Sequence, residues 1–448
     1  MSTVRMSPTY FIALLTLTGI IALPSTAWAD RSTSLQGNRL IEDADDVFTY
    51  PHLTTRYTDR LSFDFGADAT QGNGLFLMGD ETLTWGVALH RGNVFDASSI
   101  SRLNELNALE ALTVPSLPGY PMATEPFTAA DVLLGFGDLG VRLSLGTGIN
   151  STTPAMGDDT RASSRFANLV VGYGLEDIDL ALHLGFINAK NTTGDERTSG
   201  GNQIRAALTS RAYFPMDDSV RLGVLGRAGY IHQGSDELSG DETIDSSASQ
   251  LDVVLGAGPS ITLAERAHIA GYATLGFTSQ NVDPDKSEDN DSNSTKMLLL
   301  PGANVAMEVL LKPWLRVRAG MEYNHAIALN SQLTDDGTDK MSANFTGFQW
   351  NAGVGLAHKN FTLDGTLNPS FLTQGPDFIG GDGPLFVMLS ASYRFGDLTP
   401  LEPATEPSVA PVTTTRVTPA TAPARAITPA TTTDPMESRS DDADESSF

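Results

Sequence analysis

The segment Gly135-Phe136-Gly137-Asp138-Leu139-Gly140 has GxGxxG spacing. Such a loop cradles a pyrophosphate only when a strand precedes it and a helix N-terminus follows. Residues 141–145 instead alternate like a strand, so a hairpin turn is the better reading. The seven histidines are scattered, and the sequence contains neither HExxH nor GxSxG, which removes the zinc-protease and hydrolase-elbow patterns. A Ser-His-carboxylate set assembled across strands would not show in spacing. For His183 and His268, which share the parity of the charged residues below, a satisfied wall histidine is the commoner outcome. Asp283, Asp285, Ser287, Asp289 and Asp291 place oxygens at alternate positions, as a Ca²⁺ loop does. The bend-forming glycine of an EF-hand is missing, which favours a solvated acidic loop. Cysteine is absent, so thiolate metal sites, thiol nucleophiles and disulfides are excluded. No catalytic residue, no cofactor and no metal site is expected.

The richest constellation is one of charge. Arg142, Arg205, Arg211, Arg221, Arg227, Arg316, Arg318 and Arg394 fall on one alternation parity together with Asp179, His183, Asp252, Glu308, Glu322 and Asp364. In a strand, alternate residues share a face, so these groups line one surface. Arg205 and Arg211 precede Arg221 and Arg227 by one hairpin, which brings the four together. Guanidinium groups facing carboxylates across water set a field and a charge preference in a pore. The same groups packed tightly only neutralise one another, and spacing leaves both readings open.

The elements that would carry this surface repeat along residues 128–395: about ten alternating residues, a turn, then ten more. In residues 178–186, Ile178, Leu180, Leu182, Leu184 and Phe186 share one face, against Asp179, Ala181, His183 and Gly185 on the other. Tight turns near 137–138, 176–177, 217–218, 264–265, 312–313 and 359–360 alternate with long polar connections. Short turns on one side and long loops on the other are the arrangement of a transmembrane barrel, in which the apolar face meets lipid. The fold expected is therefore all-β: an antiparallel up-and-down barrel over 60–396 with fourteen strands, or sixteen if 60–66 and 75–79 are counted. Residues 92–127 form the longest connection, where Ile100, Leu103, Leu106, Leu109 and Leu112 recur at helical spacing. This connection is either a surface loop or a constriction folded into the lumen.

Arg5, an apolar stretch from Tyr10, and Ala27-Trp28-Ala29 before Asp30 read as a secretory signal over 1–29. Residues 30–59 are expected to form a periplasmic segment. The Pro/Thr-rich, finally acidic stretch 397–448 is expected to be a disordered periplasmic tail. A net charge of −26 argues against a nucleic-acid partner.

The strand closing on Ser392-Tyr393-Arg394-Phe395 resembles the assembly signal of bacterial outer-membrane barrels, although here a tail follows it. That resemblance makes Tyr393 and Phe395 the signal and implies insertion by the barrel-assembly machinery. The stretch from Gly37-Asn38-Arg39-Leu40-Ile41-Glu42-Asp43 to Asp46-Val47-Phe48-Thr49-Tyr50-Pro51 resembles the opening of a group of porin-like outer-membrane proteins. Distant similarity to the long-chain fatty-acid transporter family would fit fourteen strands, but that family's N-terminal plug signature is not found. The function expected is passive diffusion of small hydrophilic solutes, with outer-membrane lipid as surroundings and without covalent chemistry. Pore-lining residues would be Arg142, Asp179, His183, Arg205, Arg211, Arg221, Arg227, Asp252, Glu308, Arg316, Arg318 and Glu322. Transport of hydrophobic compounds and a non-conducting scaffold are the alternatives. A homo-oligomer is expected only by analogy with trimeric sixteen-stranded porins.

Overall fold

A computed structural model describes residues 31–66, 72–92, 127–152, 158–194, 196–239, 242–264, 266–283, 293–334, 337–367 and 386–395. The signal segment, the leucine-bearing connection, the acidic loop after Asp283 and the C-terminal tail lie outside the described residues. Sixteen antiparallel strands run from β1 (Arg60–Gly66) to β16 (Phe386–Arg394), each paired with its sequence neighbours. β1 pairs β16 from Arg60↔Arg394 to Gly66↔Met388, which closes the barrel and leaves no edge. The higher of the two expected strand counts is the one found.

Alternation explains why the wall stands in lipid. On β7 (Ile178–Thr193), Leu182, Leu184 and Phe186 are exposed on the outside, while Asp179, Ala181 and His183 are buried on the inside. Outward aromatics mark two levels. Phe136, Tyr173, Phe214, Trp314, Phe361 and Tyr393 ring the end with the short turns, and Phe186, Tyr230, Phe277, Tyr323 and Phe348 lie further up. From Trp314 to Tyr323, nine residues of tilted strand rise about 23 Å, close to the apolar band of an outer-membrane barrel. Leu145 on β5 (Leu139–Thr152) points outward between these levels. Leu145→Arg is therefore expected to destabilise the inserted barrel by about 2–4 kcal/mol, measured as a lower urea midpoint for unfolding from lipid vesicles.

The GxGxxG segment is the hairpin turn between β4 (Phe127–Phe136) and β5, with Gly137 at φ 55°. Several strands run past their expected ends. β8 covers Glu196–Pro215, β9 Val220–Ser239 and β10 Glu242–Leu263, so parts of the expected outer loops are ladder. Above the membrane a strand needs only its hydrogen bonds, and these extensions, rich in Ser, Gly and acidic residues, carry no apolar alternation to reveal them.

Candidate functional site

Residues 31–57 lie inside the barrel, and this corrects the expectation of a separate periplasmic segment over 30–59. One helical turn, α1 (Arg31–Ser34), packs against β13 (Leu315–Thr334), β14 (Gly337–His358) and β15 (Phe361–Leu367). Across the lumen a 3-10 turn at Pro51–Thr55 packs against β3 (Leu83–Gly92), β4, β5 and β6 (Thr160–Leu175). A second 3-10 turn, Ala44–Phe48, is held by a capping box in which Asp43 and Asp46 satisfy each other's backbone. Leu35, Leu40, Ile41, Val47, Phe48 and Leu53 are buried in two apolar clusters shared with wall residues such as Leu77, Leu133 and Leu225. Apolar side chains bury themselves where the wall offers apolar patches, which a segment in water could not do.

The wall is shaped to receive the plug. A Cβ at Gly140 would run into the backbone of Pro51 and His52, and one at Gly320 into the backbone of Leu35 and Gln36. Only glycine allows that approach. Both sit a few residues from short turns, and Thr55 Oγ1 donates to the Gly137 carbonyl at 3.3 Å. The plug thus sits at the short-turn end, which in outer-membrane barrels is the periplasmic end.

The charged residues singled out from the sequence do face inward, but most are committed to the plug or to each other. Arg211 is fully buried. It donates to Asp179 at 2.8 Å and Asp46 at 2.7 Å, and lies over the rings of Tyr50 and Tyr213. Asp179 also contacts His52 Nε2 at 2.8 Å. Arg142 bonds Asp131 at 2.7 Å and the Phe48 carbonyl at 2.9 Å. Glu308 takes a two-point contact from Arg31, at 2.8 and 3.1 Å, and a further bond from Arg318, which also pairs Asp364. Arg227 pairs Asp252 at 3.2 Å, and His183 meets Thr209 Oγ1 at 3.1 Å. Arg205 donates to Gln203, Arg221 lies 4.5 Å over the Tyr213 ring, and Glu322 accepts from Asn324. Arg316 is half-buried on the same face as Arg318. The hairpin β8–β9 sets Arg211 opposite Leu225 and Arg227 opposite Thr209, so its arginines share one wall. Of the open alternatives, close pairing describes Arg142, Arg211, Arg227 and Arg318.

Charge on the plug follows its surroundings. Burial opposes the charge on Arg31, yet the Glu308 carboxylate holds its guanidinium above the ordinary value. Burial pushes the Tyr50 hydroxyl up to about 12, against the pull of Arg211. It stays a neutral ring against which the Arg211 cation rests. Tyr57, pushed up by burial and Glu42, donates its proton to Glu42 at 3.1 Å. Asparagines finish the seat: Asn38 donates to Asn304 Oδ1 at 2.7 Å, and Asn304 to the Gln36 carbonyl at 2.8 Å. Sequence reasoning missed the plug because it has no strand period. Its signals were large apolar and aromatic side chains such as Leu40, Ile41, Val47 and Phe48, and glycines on the inward parity beside the short turns. At the seam, Tyr393 and Phe395 stack edge-on with ring centroids 5.3 Å apart, and Phe395 reaches Phe76 of β2 (Gly72–Gly79) at 6.0 Å. Among the described residues no group of His, Asp and Glu is arranged to hold a metal.

No family profile matches the chain, and no curated protein matches it in sequence. Solved structures to which the chain is similar include the ferric-catecholate import receptor Fiu from E. coli K12 (8% identity, 75% of this chain and 81% of that one, TM-score 0.31). The translocator domain of autotransporter NalP from Neisseria meningitidis is another (12%, 58% and 88%, TM-score 0.28). A third is the hemophore receptor HasR of Serratia marcescens (10%, 68% and 62%, TM-score 0.33). From its own geometry, with a closed wall, an apolar outer band between aromatic levels and a polar interior, the chain is an outer-membrane β-barrel.

Proposed function

We propose that the protein is an outer-membrane channel for small hydrophilic solutes, closed at rest by its own residues 31–57. The observation that supports this reading is the plug itself, seated across the short-turn end by ion pairs between buried plug and wall groups. Beyond the plug the inward side chains Gln203, Gln233, Ser246, Gln250, Thr278 and Gln280 are polar, which favours a hydrophilic solute over a hydrophobic one. No covalent chemistry belongs to this reading.

The test is planar-bilayer recording on the purified chain from Asp30 and on a variant lacking residues 31–57. The full chain is expected to give little or no current, and the variant stepwise conductance. A silent variant with an intact barrel would favour the second reading, a non-conducting scaffold, which the tight seating of the plug also suits.

A further inference from the structure

Four consecutive strands carry glutamines on their inner faces near the outer mouth. The pair on β8 and β9 is complete: Gln203 receives Arg205, and its own amide donates to Gln233 at 3.1 Å. The pair on β10 and β11 (Ala267–Asp283) is not. Gln250 stands directly opposite Gln280, and Asp252 opposite Thr278. Gln250 Oε1, Gln280 Nε2 and Thr278 Oγ1 are buried without a hydrogen-bond partner, and neither oxygen of Asp252 accepts a hydrogen bond. All four residues are at least nine-tenths buried. Buried polar atoms left unmatched cost about 1–3 kcal/mol each, so five in one square call for a partner.

The chemistry of that partner can be read from the square. Arg227 counters the charge of Asp252 at 3.2 Å, so the square offers an ion no net attraction. Amide oxygen, amide nitrogen, hydroxyl and carboxylate together ask for groups that both donate and accept, as hydroxyls do. The neighbouring wall on β12 (Asn293–Lys312) and β13 is apolar: Met297 faces Thr278 across the ladder, and Leu299, Ala326 and Ala328 complete the patch. A few polar groups beside an apolar surface is the usual make-up of a small-molecule site. We propose that this square is a binding subsite for a neutral polyhydroxylated solute, a sugar, whose hydroxyls meet Gln250, Asp252, Thr278 and Gln280 beside the apolar patch of Met297 and Leu299. The subsite lies roughly 30 Å along the wall from the short-turn rim, on the outer side of the plug. This inference rests on the channel reading, since it names the solute class that would use the path.

Calorimetric titration of the detergent-purified chain from Asp30 tests it, with maltotriose as probe and a polyethylene glycol of matched mass as control. Saturable binding of maltotriose and none of the glycol is expected, because the glycol's ether oxygens cannot donate. The variants Gln250→Leu with Gln280→Leu, and separately Thr278→Val, should weaken binding about tenfold per hydrogen bond lost. The single change keeps the test available should the double variant fail to fold. Unchanged affinity in the variants overturns the proposal. So does the absence of maltotriose binding, which would leave water as the occupant. If sugar binding fails while the plug-deleted variant conducts, this inference alone falls. If binding holds while that variant is silent, the channel reading falls and the subsite stands.

Discussion

Replacing Arg211 with Met is expected to open the barrel. Arg211 ties Asp46 of the plug to Asp179 of the wall, and it also donates to the Arg39 carbonyl at 3.2 Å. Methionine fills much of the volume but leaves two buried carboxylates with weaker partners, Asp46 with Arg39 at 3.7 Å and Asp179 with His52 at 2.8 Å. Breaking a buried ion pair from one side costs about 3–5 kcal/mol, most of it the penalty for the charge left behind. The barrel can escape that penalty by releasing the plug into water, where Asp46 is solvated. Single-channel recording should then show stepwise current from Arg211→Met where the parent is closed, and limited proteolysis should cut within residues 31–57 while the barrel stays whole. Adding Asp46→Asn removes one of the two carboxylates that lost Arg211 and should restore part of the closure. A variant that stays closed and protected would mean that apolar burial, not the ion pairs, holds the plug.

The second large effect needs no charge. Gly320→Leu places a side chain where the Leu35 and Gln36 backbone now runs. Overpacking of a side-chain contact costs about 1–3 kcal/mol, and backbone has no rotamer to turn away, so the cost here is at the upper end or beyond. The wall at that point is a paired strand, Gly320 opposite Ala306 and Asn351, and cannot retreat without breaking two ladders. The plug has to leave. The same gain in current and protease sensitivity is expected, with the heat-modifiable mobility of a folded barrel unchanged. Gly347→Ala, on β14 where an added Cβ meets nothing within 4 Å, is the control and should behave like the parent. Agreement between the Arg211 and Gly320 variants, one electrostatic and one steric, would assign the closed state to the plug by two independent routes.

Much of this protein was legible in its residues, because the side-chain period of a strand is local. Ile178, Leu180 and Leu182 against Asp179, Ala181 and His183 announce a two-faced strand before any partner is known, and tight turns alternating with long connections turn a set of strands into a membrane barrel. The inward parity of Arg142, Arg211, Arg227 and Arg318 followed from the same arithmetic. The strand extensions above the membrane were hidden, since Ser, Gly and acidic residues pair in a ladder without leaving an apolar trace.

What only the tertiary structure decided is what the inward charges face. Asp46 and Arg211 are far apart in the chain, as are Arg31 and Glu308, and no local pattern carries such a pairing. Whether a polar inner face lines open water or grips a plug depends on where a non-periodic segment settles. That choice is made by the fit of Leu35, Leu40 and Phe48 to the wall, a property of assembled surfaces that exists only once the barrel has closed.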